Sequence, residues 1–119
     1  MQKTAQDQKC VTLKQSEAKI QQDCVMWFRN DFCIRSGRNG IIFHVPNQNQ
    51  QRLVQIGVLA GVSDLMCCIE GKWYCFEIKD DTGKQTPAQI EFEKRVRELG
   101  TGYWIVRSLE QFKEIVWNL

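Results

Sequence analysis

The chain has 119 residues, a length that suits one domain with its own hydrophobic core rather than two independent domains. Hydrophobic residues make up 43% of the chain and charged residues 25%, which excludes a disordered or fibrous protein. The 16 basic and 14 acidic side chains leave a formal charge of +2, so the overall charge does not by itself indicate a nucleic-acid partner.

The six cysteines do not indicate a metal site or a disulfide framework. The first ten residues, MQKTAQDQKC, lack the apolar core of a signal peptide, so we expect reduced thiols in a cytoplasmic protein. No zinc site is expected, because Cys67 and Cys68 are adjacent, no CxxC occurs and His44 is the only histidine. The thiols are therefore predicted to serve in packing. No apolar run approaches the roughly 20 residues that span a bilayer, so no membrane partner is expected.

The N-terminal part of the chain predicts a polar extension over residues 1–11, followed by a single domain over 12–119. Thr12 and Gln15 have the spacing of a capping box, which predicts a helix from there to about Asn30. The apolar stripe of this helix follows steps of three and four residues. It consists of Leu13, Ile20, Cys24, Trp27 and Phe28.

Glu17 fills the one gap in that stripe, which leaves two interpretations open. A carboxylate on the buried face needs a partner, a proton or a cation, so Glu17 could belong to a functional site. Alternatively, Ser16 is the helix cap and Glu17 is a first-turn residue that interacts favourably with the helix dipole.

The middle of the chain predicts mostly short elements. Residues 35–40 (RSGRNG) read as a loop that leads into a strand over residues 41–45, closed by Pro46. Residues 47–57 are polar at first and apolar at the end, and predict a short helix that ends at Gly57. Strands at 63–69 and 73–79, joined by residues 70–72, predict a hairpin with apolar residues on both faces, as in a sheet covered on two sides.

The C-terminal third predicts helix, strand and helix. Thr86, Pro87 and Gln89 occupy the N-cap, first and third positions of a helix that is predicted to end at Gly100. The inner face of this helix is predicted to consist of Phe92, Val96 and Leu99. A strand over residues 103–106 follows, and Ser108 begins a last helix that runs through Trp117.

Three charged residues stand at the ends of the apolar hairpin strands. Glu77 and Lys79 share one face because side chains two residues apart on a strand point to the same side. Asp64 begins the paired strand and is expected across from Glu77 or Lys79. Two carboxylates with a nearby carbonyl suit a hard divalent cation such as Mg²⁺, and Lys79 could stabilise charge on a phosphate. The alternative is an ordinary salt-bridge cluster at a strand end.

The larger pattern resembles a known family. The segments GVLAGVSDLMCC (57–68), FEIKDDTGKQTPAQ (76–89) and ELGTGYWIVRS (98–108) are similar to the VRR-NUC (virus-type replication-repair nuclease) domain of the PD-(D/E)xK phosphodiesterase superfamily. The likeness runs from Glu17 to about Phe112. It implies an α/β, restriction-endonuclease-like core with a four-stranded mixed sheet flanked by helices, and DNA cleavage that depends on Mg²⁺ or Mn²⁺.

The resemblance also implies site residues. Asp64 and Glu77 would be the metal ligands together with the backbone carbonyl of Ile78, and Lys79 the catalytic lysine. Gln89 matches the family's glutamine on the helix after the lysine strand, although its place in a capping box is a sufficient structural reason for it. Glu17 matches the family's first-helix glutamate. Ser63 stands where the family signature has proline, which affects the geometry of the turn rather than the ligands.

Contacts with DNA are expected from cations in or near predicted loops. They are Arg35, Arg38, Arg52, Lys72 and Lys84. His44 could contact a phosphate or act as a base, but a lone histidine in an apolar strand favours a packed residue. No base-reading motif is present, so we expect recognition of DNA shape rather than of sequence.

The predicted function is that of a structure-specific endonuclease. Small stand-alone members of the resembled family act as homodimers on four-way (Holliday) junctions, for which Ile90 and Trp117 are candidate interface residues. The resemblance further implies a phage or prophage origin and a role in DNA repair or recombination. Two alternatives remain open: a nuclease that acts on flap, nicked or duplex DNA, and an inactive nucleic-acid-binding module that keeps the fold.

Overall fold

A computed structural model describes residues 15–46, 56–57 and 59–119. The predicted extension over residues 1–11, and all but the last two residues of the predicted helix over 47–57, lie outside these ranges. Helix α1 (Glu17–Trp27) runs directly into a π-helix (Phe28–Arg35). The remaining elements are β1 (Gly40–His44), β2 (Leu65–Ile69), β3 (Lys72–Ile78), α2 (Pro87–Glu98), β4 (Gly102–Val106) and α3 (Leu109–Trp117).

The four strands form one mixed sheet in the order β1-β2-β3-β4. The first three strands are antiparallel, whereas β4 runs parallel to β3, with α2 as the connection between them. This arrangement confirms the predicted α/β fold with a four-stranded mixed sheet flanked by helices. Strands β2 and β3 are both central, because each pairs on both edges.

The hairpin between β2 and β3 is tighter than predicted. Ile69 pairs with Lys72, so the connection is the two-residue turn Glu70-Gly71 rather than residues 70–72. Both turn residues have positive φ, at 51° and 81°. Two successive turn residues with positive φ match the right-handed twist of the strands. Glu70 adopts a backbone conformation that is unusual for a residue with a side chain, whereas Gly71 adopts it freely.

The first helix begins one turn later than Thr12 predicts. Ser16 is the observed N-cap, and its hydroxyl accepts a hydrogen bond from the amide of Lys19 at 3.1 Å, as the alternative interpretation expected. The helix also extends beyond Asn30, because the chain continues as a π-helix to Arg35. The stripe residues Ile20, Cys24 and Phe28 are buried, as predicted.

The hydrophobic core lies between one face of the sheet and the layer formed by α1, the π-helix and α3. Aromatic rings dominate it: the ring centroids of Phe76 and Phe112 are 4.9 Å apart, and those of Phe28 and Phe32 are also 4.9 Å apart. Cys24 and Cys67 are buried in the same cluster. The five cysteines in the part of the chain that the structure describes are all free thiols.

The opposite face of the sheet is covered only in part, which corrects two predictions. The two hairpin strands were expected to be covered on both sides, but Trp73 of β3 is exposed on this face, where the neighbouring β1 also exposes Ile41 and Phe43. Leu99 was expected on the inner face of α2, yet 82% of it is exposed. Only Gln89 is buried among the residues of α2, because this helix packs mainly against β4 and leaves the rest of the face uncovered. None of the described helices is long and apolar enough to span a membrane.

Candidate metal and catalytic site

Asp64 and Glu77 face each other at one end of the hairpin. The pairing of Leu65 with Phe76 continues to Asp64 opposite Glu77, which is one of the two placements predicted. A carboxylate oxygen of Asp64, Oδ2, accepts a hydrogen bond of 2.7 Å from the amide of Ile78. This bond extends the β2-β3 ladder by a side chain and fixes Asp64 beside the strand that carries Glu77.

Glu77 is an acid buried in the interior, with 1% of its surface exposed. Burial, the negative charge of Asp64 and a hydrogen bond to that carboxylate together raise its pKa from 4.5 to about 8, although the positive charge of Lys79 lowers it. Its Oε1 atom is buried and no donor reaches it among the described residues. Without a cation, the group therefore holds a proton near neutral pH, and its side chain can share that proton with Asp64.

Gln89 holds the other oxygen of Glu77. Its side-chain amide donates to Glu77 Oε2 at 2.8 Å, and its Oε1 accepts from the amide of Thr86 at the same distance. The backbone N–H of Gln89 in turn donates to the Thr86 hydroxyl, which completes the predicted capping box. The capping role is therefore confirmed, and the cap orients the side chain that contacts Glu77; the role of Gln89 in a catalytic site stays a prediction.

Lys79 follows β3 directly and is also buried, with 7% of its surface exposed. Its ammonium lies 3.9 Å from Glu77 Oε2. The Lys79 amide donates to the carbonyl of Val106 at 3.0 Å, so the backbone is fixed by the parallel strand β4. Side chains of Glu77 and Lys79 lie on the same side of the strand, as the two-residue period predicts.

Glu17 reaches the same region from the start of α1. It is the first residue of the helix, as the cap interpretation expected, and it is half-buried. A Cβ atom placed on Gly83 would lie 3.2 Å from Glu17 Oε2 and 3.3 Å from Lys79 Cδ. The charge of Glu17 also contributes to the raised pKa of Glu77. Both interpretations of Glu17 therefore agree with its position.

Ser63 and Ile78 are the sequence neighbours of the two site carboxylates, Ser63 before Asp64 and Ile78 after Glu77. Ser63 is fully buried, and its hydroxyl donates to the carbonyl of Leu65 at 3.3 Å. The hydroxyl therefore stabilises the turn at the position where the resembled signature has proline. The carbonyl of Ile78 points to the Asp64 side of the strand, because the N–H and C=O of one strand residue point the same way and its N–H donates to Asp64.

His44 is exposed, so the preference for a packed histidine was wrong. Its Nδ1 atom lies 2.8 Å from the carbonyl oxygen of Asp64, and the Val45 amide donates to that oxygen at the same distance. The β1-β2 pairing places His44 at this edge of the sheet. Its contact is with the backbone of Asp64, not with the carboxylate.

The predicted DNA-contacting cations do not gather around these residues. Lys84 is exposed in the loop that follows Lys79. Lys72 and Arg38 lie at the hairpin end of the sheet, where Arg38 pairs with Glu70 at 3.6 Å. Lys72 and Glu77 are five residue steps apart along β3, a distance of about 16 Å. Arg35 is exposed and pairs with Asp31 at 2.9 Å, and Arg52 lies outside the described residues.

The structure adds residues that sequence reasoning missed. Tyr103 is fully buried, and its hydroxyl accepts from the side-chain amide of Gln85 at 3.3 Å. Arg107 contacts the loop after Lys79. The parallel pairing of β3 and β4 brings these residues to the site, and no local motif marks them. Within residues 15–46, 56–57 and 59–119, no three His, Cys, Asp or Glu side chains form a group that could hold a metal ion.

Gly61 offers a test of how the fold positions Gln89. It has φ +79°, and a Cβ atom there would lie 2.2 Å from the carbonyl oxygen of Ala88 and 2.8 Å from the amide nitrogen of Gln89. We expect Gly61→Ala to lower the free energy of unfolding by about 1–3 kcal/mol more than Gly57→Ala, because backbone atoms must move to make room. Gly57 is the matched control, since it also has positive φ (+104°) but nothing within 4 Å of its Cβ position.

Urea denaturation of the two variants measures this difference. Because both substitutions carry the strain of positive φ, the difference isolates the contact with the first turn of α2. Equal stabilities would contradict close packing of Gly61 against that turn.

Comparison with known proteins identifies the fold. No protein-family model and no curated protein sequence matches the chain. Two similar solved structures are described as "VRR_NUC domain", with 18% identity over 86% of this chain and 96% of that chain (TM-score 0.62), and "VRR_NUC domain protein", with 21% identity over 87% and 86% (TM-score 0.68). The chain therefore has the fold of VRR-NUC domains, as the sequence resemblance predicted.

Proposed function

We propose that this chain with the VRR-NUC fold is a divalent-metal-dependent nuclease that hydrolyses phosphodiester bonds in DNA. One observation carries the proposal: the Glu77 carboxylate is buried beside Asp64, with Oε1 lacking any donor among the described residues. Burying a second carboxylate beside the first is unfavourable unless a proton or a cation compensates for it. A structural salt bridge alone would not need this arrangement.

The oxygen atoms at the site suit a hard cation. Asp64 and Glu77 would hold Mg²⁺ or Mn²⁺ together with the carbonyl of Ile78, and water would complete the coordination. Two carboxylates rather than three are consistent with the way Mg²⁺ is usually held, since it keeps several waters. When bound, the ion supplies a Lewis acid next to a phosphate oxygen.

The remaining side chains have distinct roles in this proposal. Lys79 places a positive charge 3.9 Å from Glu77, where it would stabilise the negative charge that develops on the phosphate oxygens. Gln89 occupies Glu77 Oε2 and so directs Oε1 toward the cation. Glu17 adds a carboxylate that lies, like Lys79, close to Gly83, and it would accept a hydrogen bond from an attacking water.

The substrate is proposed to be branched DNA, in particular four-way junctions cut by a homodimer. Ile41, Phe43 and Trp73 form an exposed apolar surface on the sheet, and Ile90 on α2 is 54% exposed. A second copy of the chain could cover such a surface. Trp117 is a weaker candidate for the interface, because it packs against Trp27 and Phe32 within its own chain.

Cleavage of labelled DNA tests the proposal. Junction, flap, nicked and plain duplex substrates are incubated with the protein and Mg²⁺ or Mn²⁺, and parallel reactions contain EDTA or the Asp64→Asn variant. We expect the junction to be cut only with the cation and only by wild-type protein. Equal cutting of plain duplex would contradict the preference for junctions, and no cutting of any substrate would contradict the nuclease assignment.

A further inference from the structure

The loop that follows Lys79 is tied to the rest of the domain by one exposed arginine. Arg107 Nη1 donates to the carbonyl of Asp80 at 2.6 Å and to the carbonyl of Gly83 at 2.9 Å. These two carbonyls are at the two ends of a four-residue loop, residues 80–83. Because hydrogen bonds from a charged donor are stronger than neutral ones, one nitrogen closes the loop at both ends.

The loop is also ordered from within. Asp80 Oδ1 accepts hydrogen bonds from the amide of Thr82 at 3.1 Å and from the amide of Gly83 at 2.6 Å, an arrangement typical of Asx turns. The Thr82 hydroxyl donates to the same oxygen at 3.3 Å. The internal bonds give the loop its shape, while Arg107 sets its position relative to the sheet.

This loop lies against two of the proposed site residues. A Cβ atom on Gly83 would lie 3.3 Å from Lys79 Cδ and 3.2 Å from Glu17 Oε2, so both side chains lie close to Gly83 and a methyl group there would press on them. A shift of the loop would therefore move the Lys79 side chain, the Glu17 carboxylate or both.

Arg107 is itself held from two directions. It follows Val106, whose carbonyl accepts from the Lys79 amide, so the parallel register continues to Arg107 beside Lys79. Its own amide donates to Gln111 Oε1 at 2.7 Å, in the first turn of α3. The guanidinium thus extends from a fixed backbone.

We propose that Arg107 is a positioning residue for the catalytic site: by fixing the loop 80–83, it sets the direction in which Lys79 and Glu17 face the phosphate. The proposal rests on the nuclease function above. It assigns Arg107 the two hydrogen bonds that close the loop, and no contact with DNA is part of the proposal.

The test compares Arg107→Ala and Arg107→Lys with Arg95→Ala, which removes a charge from an exposed position on α2. We expect Arg107→Ala to lower kcat by about tenfold to a hundredfold with KM for DNA close to that of Arg95→Ala, since misplacement by about 1 Å has effects of that size. Arg107→Lys is expected to recover part of the loss, because a single cationic nitrogen makes both bonds. Gly83→Ala should lower kcat while it leaves Arg107 in place.

Amide hydrogen exchange without metal or DNA gives an independent readout. Exchange at Thr82 and Gly83 should be faster in Arg107→Ala than in wild type and unchanged in Arg95→Ala. Unchanged exchange, or a raised KM with a reduced salt dependence and normal kcat, would overturn the proposal, the latter by indicating a phosphate contact. If wild-type protein cuts no DNA, the nuclease function fails and with it the catalytic role, while the exchange measurement still decides whether Arg107 fixes the loop.

Discussion

Replacing Lys79 by alanine is expected to lower the rate of DNA cleavage by about 10²- to 10³-fold. Its ammonium is the nearest positive charge to Glu77 that the structure describes, 3.9 Å from Oε2, and the side chain is almost fully buried. A fixed charge in a site of low dielectric stabilises a developing negative charge far more than the same charge in water, and losses of this size follow when one such group is removed. Single-turnover cleavage of a labelled four-way junction measures the rate.

Two further variants make that experiment decisive. Lys79→Met keeps most of the aliphatic stem and removes only the charge, so it separates catalysis from packing. Lys94→Ala removes an exposed lysine from α2 and should cut at the wild-type rate. Wild-type activity in both Lys79 variants would exclude Lys79 as the catalytic lysine.

Thermal stability should depend on pH and on divalent cations through Glu77. Its pKa is about 8 in the folded protein against 4.5 ordinarily, so between these values the folded state holds one proton more than the unfolded state. The free energy of unfolding therefore falls as pH rises through this window, by at most about 1.4 kcal/mol per pH unit. Below about pH 4.5 the contribution is fully present, and above about pH 8 it is lost.

A bound cation should reverse that loss. Since Mg²⁺ or Mn²⁺ binds the ionised carboxylate, the ion displaces the proton, and the rise in Tm that it causes should be larger at pH 8 than at pH 6. At 100 times its Kd, the ion would stabilise the fold by about 2.7 kcal/mol. Scanning calorimetry at both pH values, with the ion and with EDTA, measures both effects.

Variants that replace one carboxylate by the corresponding amide are the controls for the pH and metal effects. Glu77→Gln has a similar shape but does not ionise, so the difference in Tm between wild type and this variant isolates the contribution of Glu77 from other titrating groups. Asp64→Asn should abolish the rise in Tm caused by the ion. A wild-type Tm that does not respond to either ion at pH 8 would contradict the metal site.

Much of the fold could be predicted because its signals are local. The caps at Thr86 and Ser108 require only a hydroxyl and an amide three residues apart, and both are observed. The register of the hairpin likewise follows from neighbouring residues, with an error of one residue in the turn. The π-helix had no such signal, since its residues have the composition of an ordinary helix.

The sequence predicted which residues form the candidate site better than it predicted how far other elements cover them. The two-residue period of a strand and one hairpin bring Asp64, Glu77 and Lys79 together. Predictions that depended on coverage by other elements were less successful. His44 and Leu99 are exposed because neither α2 nor another described element covers them, and a periodicity within one helix or strand does not say what packs against it.

The sequence by itself therefore determined which elements form and which charges stand at the end of the hairpin, because these depend on contacts between near neighbours. Only the tertiary structure decided that Glu77 is buried with a pKa of about 8, that Glu17 and Lys79 both lie close to Gly83, and that Arg107 bonds to both ends of the loop 80–83. Desolvation and long-range hydrogen bonds depend on every element that packs around a group, so they arise only when the helices and the parallel strand β4 come together.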